Sequence, residues 1–151
     1  MSGGVKGKAN AMKKKSIARG LWQYVIDSCS LINIEHNRGV RTLGQRRGAI
    51  IISERVAYEV AEDPKILKTD PLRQFVVANP QIVTQFQNNE EEEYLMVLRQ
   101  PGIDEGEASV IAIASKRHLT LVIDERDTKA TGKAKNHGVN TLSWQEFLKV
   151  S

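Results

Sequence analysis

Cysteine occurs once, as Cys29, which excludes an internal disulfide framework and a cysteine-built zinc site. No apolar stretch approaches the roughly 20 residues that span a bilayer, so no membrane association is expected. The opening residues MSGGVKGKAN lack the apolar centre of a secretory signal. A reducing, cytoplasmic compartment is the expectation. Nucleotide-binding fingerprints are missing too, since neither GxxxxGK nor GxGxxG follows the first apolar run. The DxD pair of aspartyl-phosphate enzymes is absent because position 29 is cysteine. His36, His118 and His137 lie in unrelated segments without ligand spacing, and read as surface or helix-end residues. Ser28 and Ser30 therefore have no histidine base beside them, and a serine hydrolase lacks its parts.

What remains is a one-domain length of 151 residues, with 40% hydrophobic and 26% charged side chains, ordinary for a globular protein with a sizeable core. The net charge of +4 is unevenly placed. Residues 1–20 carry Lys6, Lys8, Lys13, Lys14, Lys15 and Arg19 without an acid, whereas residues 21–151 hold 16 basic and 18 acidic side chains. Residues 1–20 read as a flexible basic tail, or alternatively as an arm that attracts phosphates. Residues 21–151 read as the folded domain.

Short apolar runs alternate with helical patterns along that domain. Trp22–Ile26, Ala49–Ile52, Ile82–Phe86, Thr120–Ile123 and Val139–Leu142 suit five strands, the third nearer an edge. Ser28–Arg38, a helix from Ser53 to about Glu62, Leu72–Ala78, the EEEEYLMVLRQ stretch, Glu105–Arg117, Asp127–Asn136 and WQEFLKV suit helices. Ser53, Asp70, Asn88 or Asn89, Asp104 and Ser143 stand where N-caps belong. Gly39–Gly48 reads as a short helix or loop, and the acid run at 90–93 as a solvated helix start suited to the helix dipole. The alternation predicts an α/β fold whose parallel sheet is covered on both faces.

Two strands end in an acid, YVID at Asp27 and LVID at Asp124. In a parallel sheet the ligand site lies beyond those carboxyl ends, at a topological switch point. Glu107, in the first turn of the helix before LVID, and Glu59, roughly one and a half turns into the helix after AIII, are placed to join them. Each has a plain alternative as a cap, a dipole-favoured acid or a solvated side chain. Gathered together, they would repel one another unless protonated or shared by a hard divalent cation. Such an ion activates water and stabilises phosphoryl charge, the chemistry of phosphodiester hydrolysis.

The residues that carry this pattern, DSCSLI after the first strand, GEASVIAIA, and LVIDERD some ten residues later, resemble the PIN domain, the nuclease module of many type II toxins. The resemblance covers about residues 22–148. It implies a three-layer α/β/α arrangement around a five-stranded parallel sheet, and Mg2+- or Mn2+-dependent cleavage of RNA. By position it implies Asp27, Glu59, Glu107 and Asp124 as catalytic acids, with Asp27, Glu107 and Asp124 on the metal. Ser28 matches the hydroxyl residue that orients the first aspartate. Asp127 is a supporting acid or a second-ion ligand, or else simply the cap of the next helix. The resemblance also admits an antitoxin protein as partner and a homodimer.

Arg38, Arg41, Arg46 and Arg47 form a basic loop after the first helix, read either as solvated surface or as a rim for RNA phosphates. The expected function is thus a metal-dependent endoribonuclease. The alternative is a catalytically silent module of the same fold that binds RNA or a protein.

Overall fold

The computed structural model describes residues 24–37, 39–62, 70–124, 126 and 128–150. The basic leader, Trp22, Arg38 and Asp127, all named above, lie outside the described residues. Five strands, β1 (Tyr24–Ile26), β2 (Ile50–Ser53), β3 (Val83–Thr84), β4 (Thr120–Val122) and β5 (Thr141–Leu142), form one sheet in the order β3-β2-β1-β4-β5. All neighbouring pairs are parallel, as expected. Ile50, Ile51 and Ile52 are wholly buried, as are Val25, Ile26, Leu121 and Val122. Such unbroken apolar runs are what a sheet covered on both faces requires.

Eight helices accompany the sheet among the described residues: α1 (Ser28–His36), α2 (Val40–Gln45), α3 (Glu54–Glu62), α4 (Pro71–Ala78), α5 (Glu90–Leu98), α6 (Glu105–Arg117), α7 (Thr128–Asn136) and α8 (Trp144–Lys149). On one side, α6 lies across β1, β2 and β4 and carries α5 and α7. Elsewhere α1 packs against α4 and α8, and α2 against α4, while α3 touches α1 and α4 as well as α6. The three-layer α/β/α architecture follows. Among the described residues no helix is long and apolar enough to cross a membrane.

Most caps fall where the side chains predict them. Asp70 accepts from the Leu72 N–H at 2.8 Å, and Ser53 Oγ accepts from the Val56 N–H at 3.0 Å. Asp104 and Ser143 each open a helix with a full capping box. The third strand is shorter than expected, because a 3-10 turn at Pro80–Ile82 takes its first residue; it does lie at the sheet edge.

The acid run is where local reasoning fails. Asn89 makes no side-chain cap bond; instead the Glu90 carboxylate turns back to the Gln87 N–H at 2.8 Å. Glu90 is only 3% exposed. The Arg117 guanidinium grips both its oxygens, with Nε 2.7 Å from one and Nη2 2.8 Å from the other. Glu93 likewise meets His137, Nδ1 to Oε2 at 2.5 Å, so this histidine is an internal tie rather than a surface residue. Two of the four acids therefore clamp α5 to the far ends of α6 and α7.

Candidate functional site

Sheet topology fixes the first two acids. Tyr24, Val25 and Ile26 pair in register with Thr120, Leu121 and Val122, and the Asp27 N–H extends the ladder to the Val122 carbonyl at 3.1 Å. Asp27 and Asp124 therefore leave the carboxyl ends of adjacent strands, at the switch point where the chain order reverses. Asp27 is 5% exposed. Its Oδ1 accepts from the Ser30 N–H at 2.8 Å, which caps α1 and offsets part of the cost of its burial.

Two helices bring in the others. Glu107 is the third residue of α6 and completes the capping box: its N–H donates to Asp104 Oδ1 at 2.8 Å, and its Oε1 accepts from the Asp104 N–H at 3.1 Å. Glu59 reaches from α3 to the start of α6. A methyl group on Gly106 would stand 2.6 Å from Glu59 Oε1, so glycine there is what admits the carboxylate. Burial pushes the Glu59 carboxyl above the ordinary carboxylate range, a hydrogen bond from Ser28 opposes that shift, and Asp104 adds to it. Ser28 thus contacts Glu59, where the resemblance gave it to Asp27. Glu59 Oε1 is buried and has no hydrogen-bond partner.

Cys29 reports that these charges share one neighbourhood. Its thiol is pushed up to about 11, first by desolvation of the sulfur and then by Asp27, Glu107, Asp124 and Asp104. The residue is solvent-exposed as a whole, so the charges act across the open mouth of the site. Asp104, read from the sequence as a cap alone, belongs to the same cluster. Its spacing of three from Glu107 was the available signal.

In this arrangement each strand-end or helix-start acid faces a local partner. Asp124 Oδ1 accepts from the Arg126 N–H at 3.0 Å, and the Arg126 guanidinium lies 2.8 Å from Oδ2, which holds the carboxyl below its ordinary range. Among the described residues no three His, Cys, Asp or Glu side chains are drawn together closely enough to hold an ion. The donors nonetheless suit a hard divalent cation in kind, being all carboxylate oxygens, and the orphaned Oε1 of Glu59 is the lone pair such an ion would satisfy.

The basic loop divides. Arg41 and Arg47 are exposed, Arg47 donating to the Gly44 carbonyl at 2.9 Å. Arg46 donates to the Phe147 carbonyl and lies over the Phe147 ring, 4.9 Å from its centroid, so it braces α8. Arg38 lies outside the described residues.

A family model described as the PIN domain matches residues 23–142. No curated protein matches the chain. Among solved structures, PAE2754 from Pyrobaculum aerophilum is similar at 16% identity with a TM-score of 0.60, over 85% of this chain and 93% of that one. A chain of DNA-bound VapBC from Salmonella typhimurium is similar at 16% identity with a TM-score of 0.55, over 82% of this chain and 99% of that one. At that identity the two structures speak for the fold, and the model match spanning most of the sequence speaks for descent. With its five-stranded parallel sheet and acids at the switch point, the chain belongs to the PIN-domain family.

Proposed function

We propose that this protein is a metal-dependent endoribonuclease that hydrolyses RNA phosphodiester bonds in the cytoplasm. The observation that supports the reading is that Asp27, Glu107 and Asp124 all act on the Cys29 thiol, while the half-buried Glu59 keeps one buried oxygen unsatisfied. Asp27, Glu107 and Asp124 would hold Mg2+ or Mn2+, and Glu59 would tune that site or take a second ion. Such an ion supplies an activated water and charge relief on the phosphoryl oxygens when bound. The chain's own residues supply placement. The α1 cap fixes the Asp27 carboxylate, Ser28 fixes Glu59, and Asp127 remains a candidate supporting acid. Arg41 and Arg47, with Arg38, are candidates to hold phosphates of the strand.

A toxin role in a type II pair is part of the proposal, with an antitoxin protein as partner; the likeness to a VapBC chain supports it. Toxicity on expression, relieved by the product of a neighbouring gene, is the expected result. Harmless overexpression of active enzyme would remove this part.

The test of the nuclease itself is Asp27→Asn. Asparagine caps a helix about as well as aspartate, so α1 and the fold persist. RNA cleavage in Mn2+ is expected to fall at least 100-fold, while the circular dichroism spectrum is unchanged. Undiminished cleavage by the variant, purified free of host nuclease, overturns the reading. The second reading, a silent RNA- or protein-binding module, draws on the clasp of Asp124 by Arg126. It predicts RNA affinity indifferent to Mn2+.

A further inference from the structure

Beside the acids lies a cavity of about 490 Å3 that the sequence did not announce. It opens at the carboxyl ends of β2 and β3, where Ser53 and Thr84 pair in register. β1 is the next strand after β2, so across the sheet the ends of β2 and β3 lie one and two strand spacings, roughly 5 and 10 Å, from the end of β1 that carries Asp27. The cavity and the acids also share helices. Tyr58 and Arg55 line the cavity from α3, next to Glu59, and Ser109 lines it from α6, two residues beyond Glu107.

Its walls are aromatic. Phe86 and Tyr94 pack with centroids 5.1 Å apart and a 40° tilt. Tyr58 is 59% exposed, and its ring lies 5.5 Å from the Arg55 guanidinium carbon. Arg55 in turn is held by Glu105 at 2.7 Å. The buried hydroxyls are already committed: Ser109 donates to the Gly106 carbonyl at 2.7 Å, and Ser53 lies 2.7 Å from Ser109 while accepting from the Val56 N–H.

Each feature narrows the occupant. Among the described lining residues the cation is Arg55, already paired with Glu105, and Glu54 adds a negative charge, so the lining does not favour a phosphate. Flat rings instead favour a neutral aromatic group. With the serine hydroxyls spent, little buried polarity remains to read base edges, so recognition rests on stacking, which tolerates any base. The volume falls within the range of small-ligand sites, roughly 300–1,000 Å3.

We propose that this cavity is a stacking subsite for one nucleobase of a single-stranded RNA whose adjoining phosphate lies at the acidic edge. The proposal rests on the nuclease reading for the identity of the polymer. It adds where the strand runs: over α3, from the β1–β4 cleft toward β3. It adds also that the position one step from the scissile bond is held without base preference.

The experiment measures binding, with cleavage silenced by Asp27→Asn. A short fluorescein-labelled oligoadenylate is titrated by anisotropy, alongside copies carrying one abasic nucleotide at each position in turn. Tyr58→Ala is expected to weaken binding about ten-fold, and Tyr58→Phe less than two-fold. One abasic position should weaken the parent by a similar factor and add nothing in Tyr58→Ala, since both changes remove the same stack. Tyr58 is surface-exposed, so both variants retain the fold. A flat abasic scan, or losses that add, overturns the subsite, as does a Tyr58→Ala variant that loses only a bound protein and keeps its RNA affinity. Cleavage undiminished in Asp27→Asn would remove the nuclease reading and leave coupled stacking intact, so the two failures are told apart.

Discussion

The guanidinium of Arg126 bridges both oxygens of Asp124, Nη2 at 2.8 Å from Oδ2 and Nε at 3.1 Å from Oδ1. Arg126 is 81% exposed and Asp124 is not, so a surface cation of the protein occupies a carboxylate that a metal would need. An ion pair so open to solvent contributes little to folding. Arg126→Ala is therefore expected to leave stability nearly unchanged and to tighten Mn2+ binding several-fold, read by isothermal titration. Unchanged or weaker affinity would show that Arg126 does not compete for this site.

Glu59 sets a pH dependence whose sign follows from its burial. Its carboxyl is held above the ordinary value in the folded chain, so the folded state binds that proton more tightly than the unfolded one. The contribution favours folding at acid pH and is withdrawn as pH rises from the ordinary carboxylate range through the raised value. Glu59→Gln removes the penalty. At pH 7 without metal its melting temperature should rise by a few degrees at most. At pH 4 the gain should vanish. A variant equally stabilised at both pH values would contradict this account.

Cys29 offers a readout of the acids that needs no substrate. With its thiol near 11 rather than 9.0, the thiolate is about a hundred times scarcer at pH 8. The higher basicity makes each thiolate more nucleophilic, which recovers about half of that on a logarithmic scale. Alkylation by iodoacetamide should thus run about ten-fold slower than for an ordinary thiol. Added Mg2+ should accelerate it in part, because the ion relieves the acids but not the desolvation. No response to Mg2+ would place the ion elsewhere.

Glu90 and Arg117 form the buried pair on which the α5–α6 contact depends. Removing one partner leaves a desolvated charge, at a cost of about 3–5 kcal/mol out of the 5–15 typical of a domain. Arg117→Met should shift the urea midpoint sharply downward. The double variant Arg117→Met with Glu90→Gln should recover much of the loss. Equal loss in single and double variants would locate the effect in packing alone.

What the sequence made legible were interactions that close within a few residues. Asp70, Asp104 and Ser143 could be named as caps because each bonds an N–H two or three positions on. The strands showed as apolar runs, and their final acids marked the edge. Interactions across the chain were hidden. Glu90 and Arg117 are 27 residues apart and His137 and Glu93 are 44 apart, so a stretch that reads as solvated is partly buried by partners no local rule reveals. Tyr58, Phe86 and Tyr94 likewise sit in separate segments, and only the packing of α3 and α5 against α6 turns them into one cavity. Gly106 was visible in the GEAS motif, yet its purpose, to leave room for Glu59, depends on a helix nearly fifty residues earlier.

The order in which β4 joins β1 has a consequence for synthesis. A ribosome delivers Asp27 and Glu59 early, but Asp124 follows Thr120–Val122, which must pair with Tyr24–Ile26 before the two aspartates can meet. Until that segment leaves the exit tunnel, a nascent chain holds only part of its acidic edge, and the edge is completed late in synthesis.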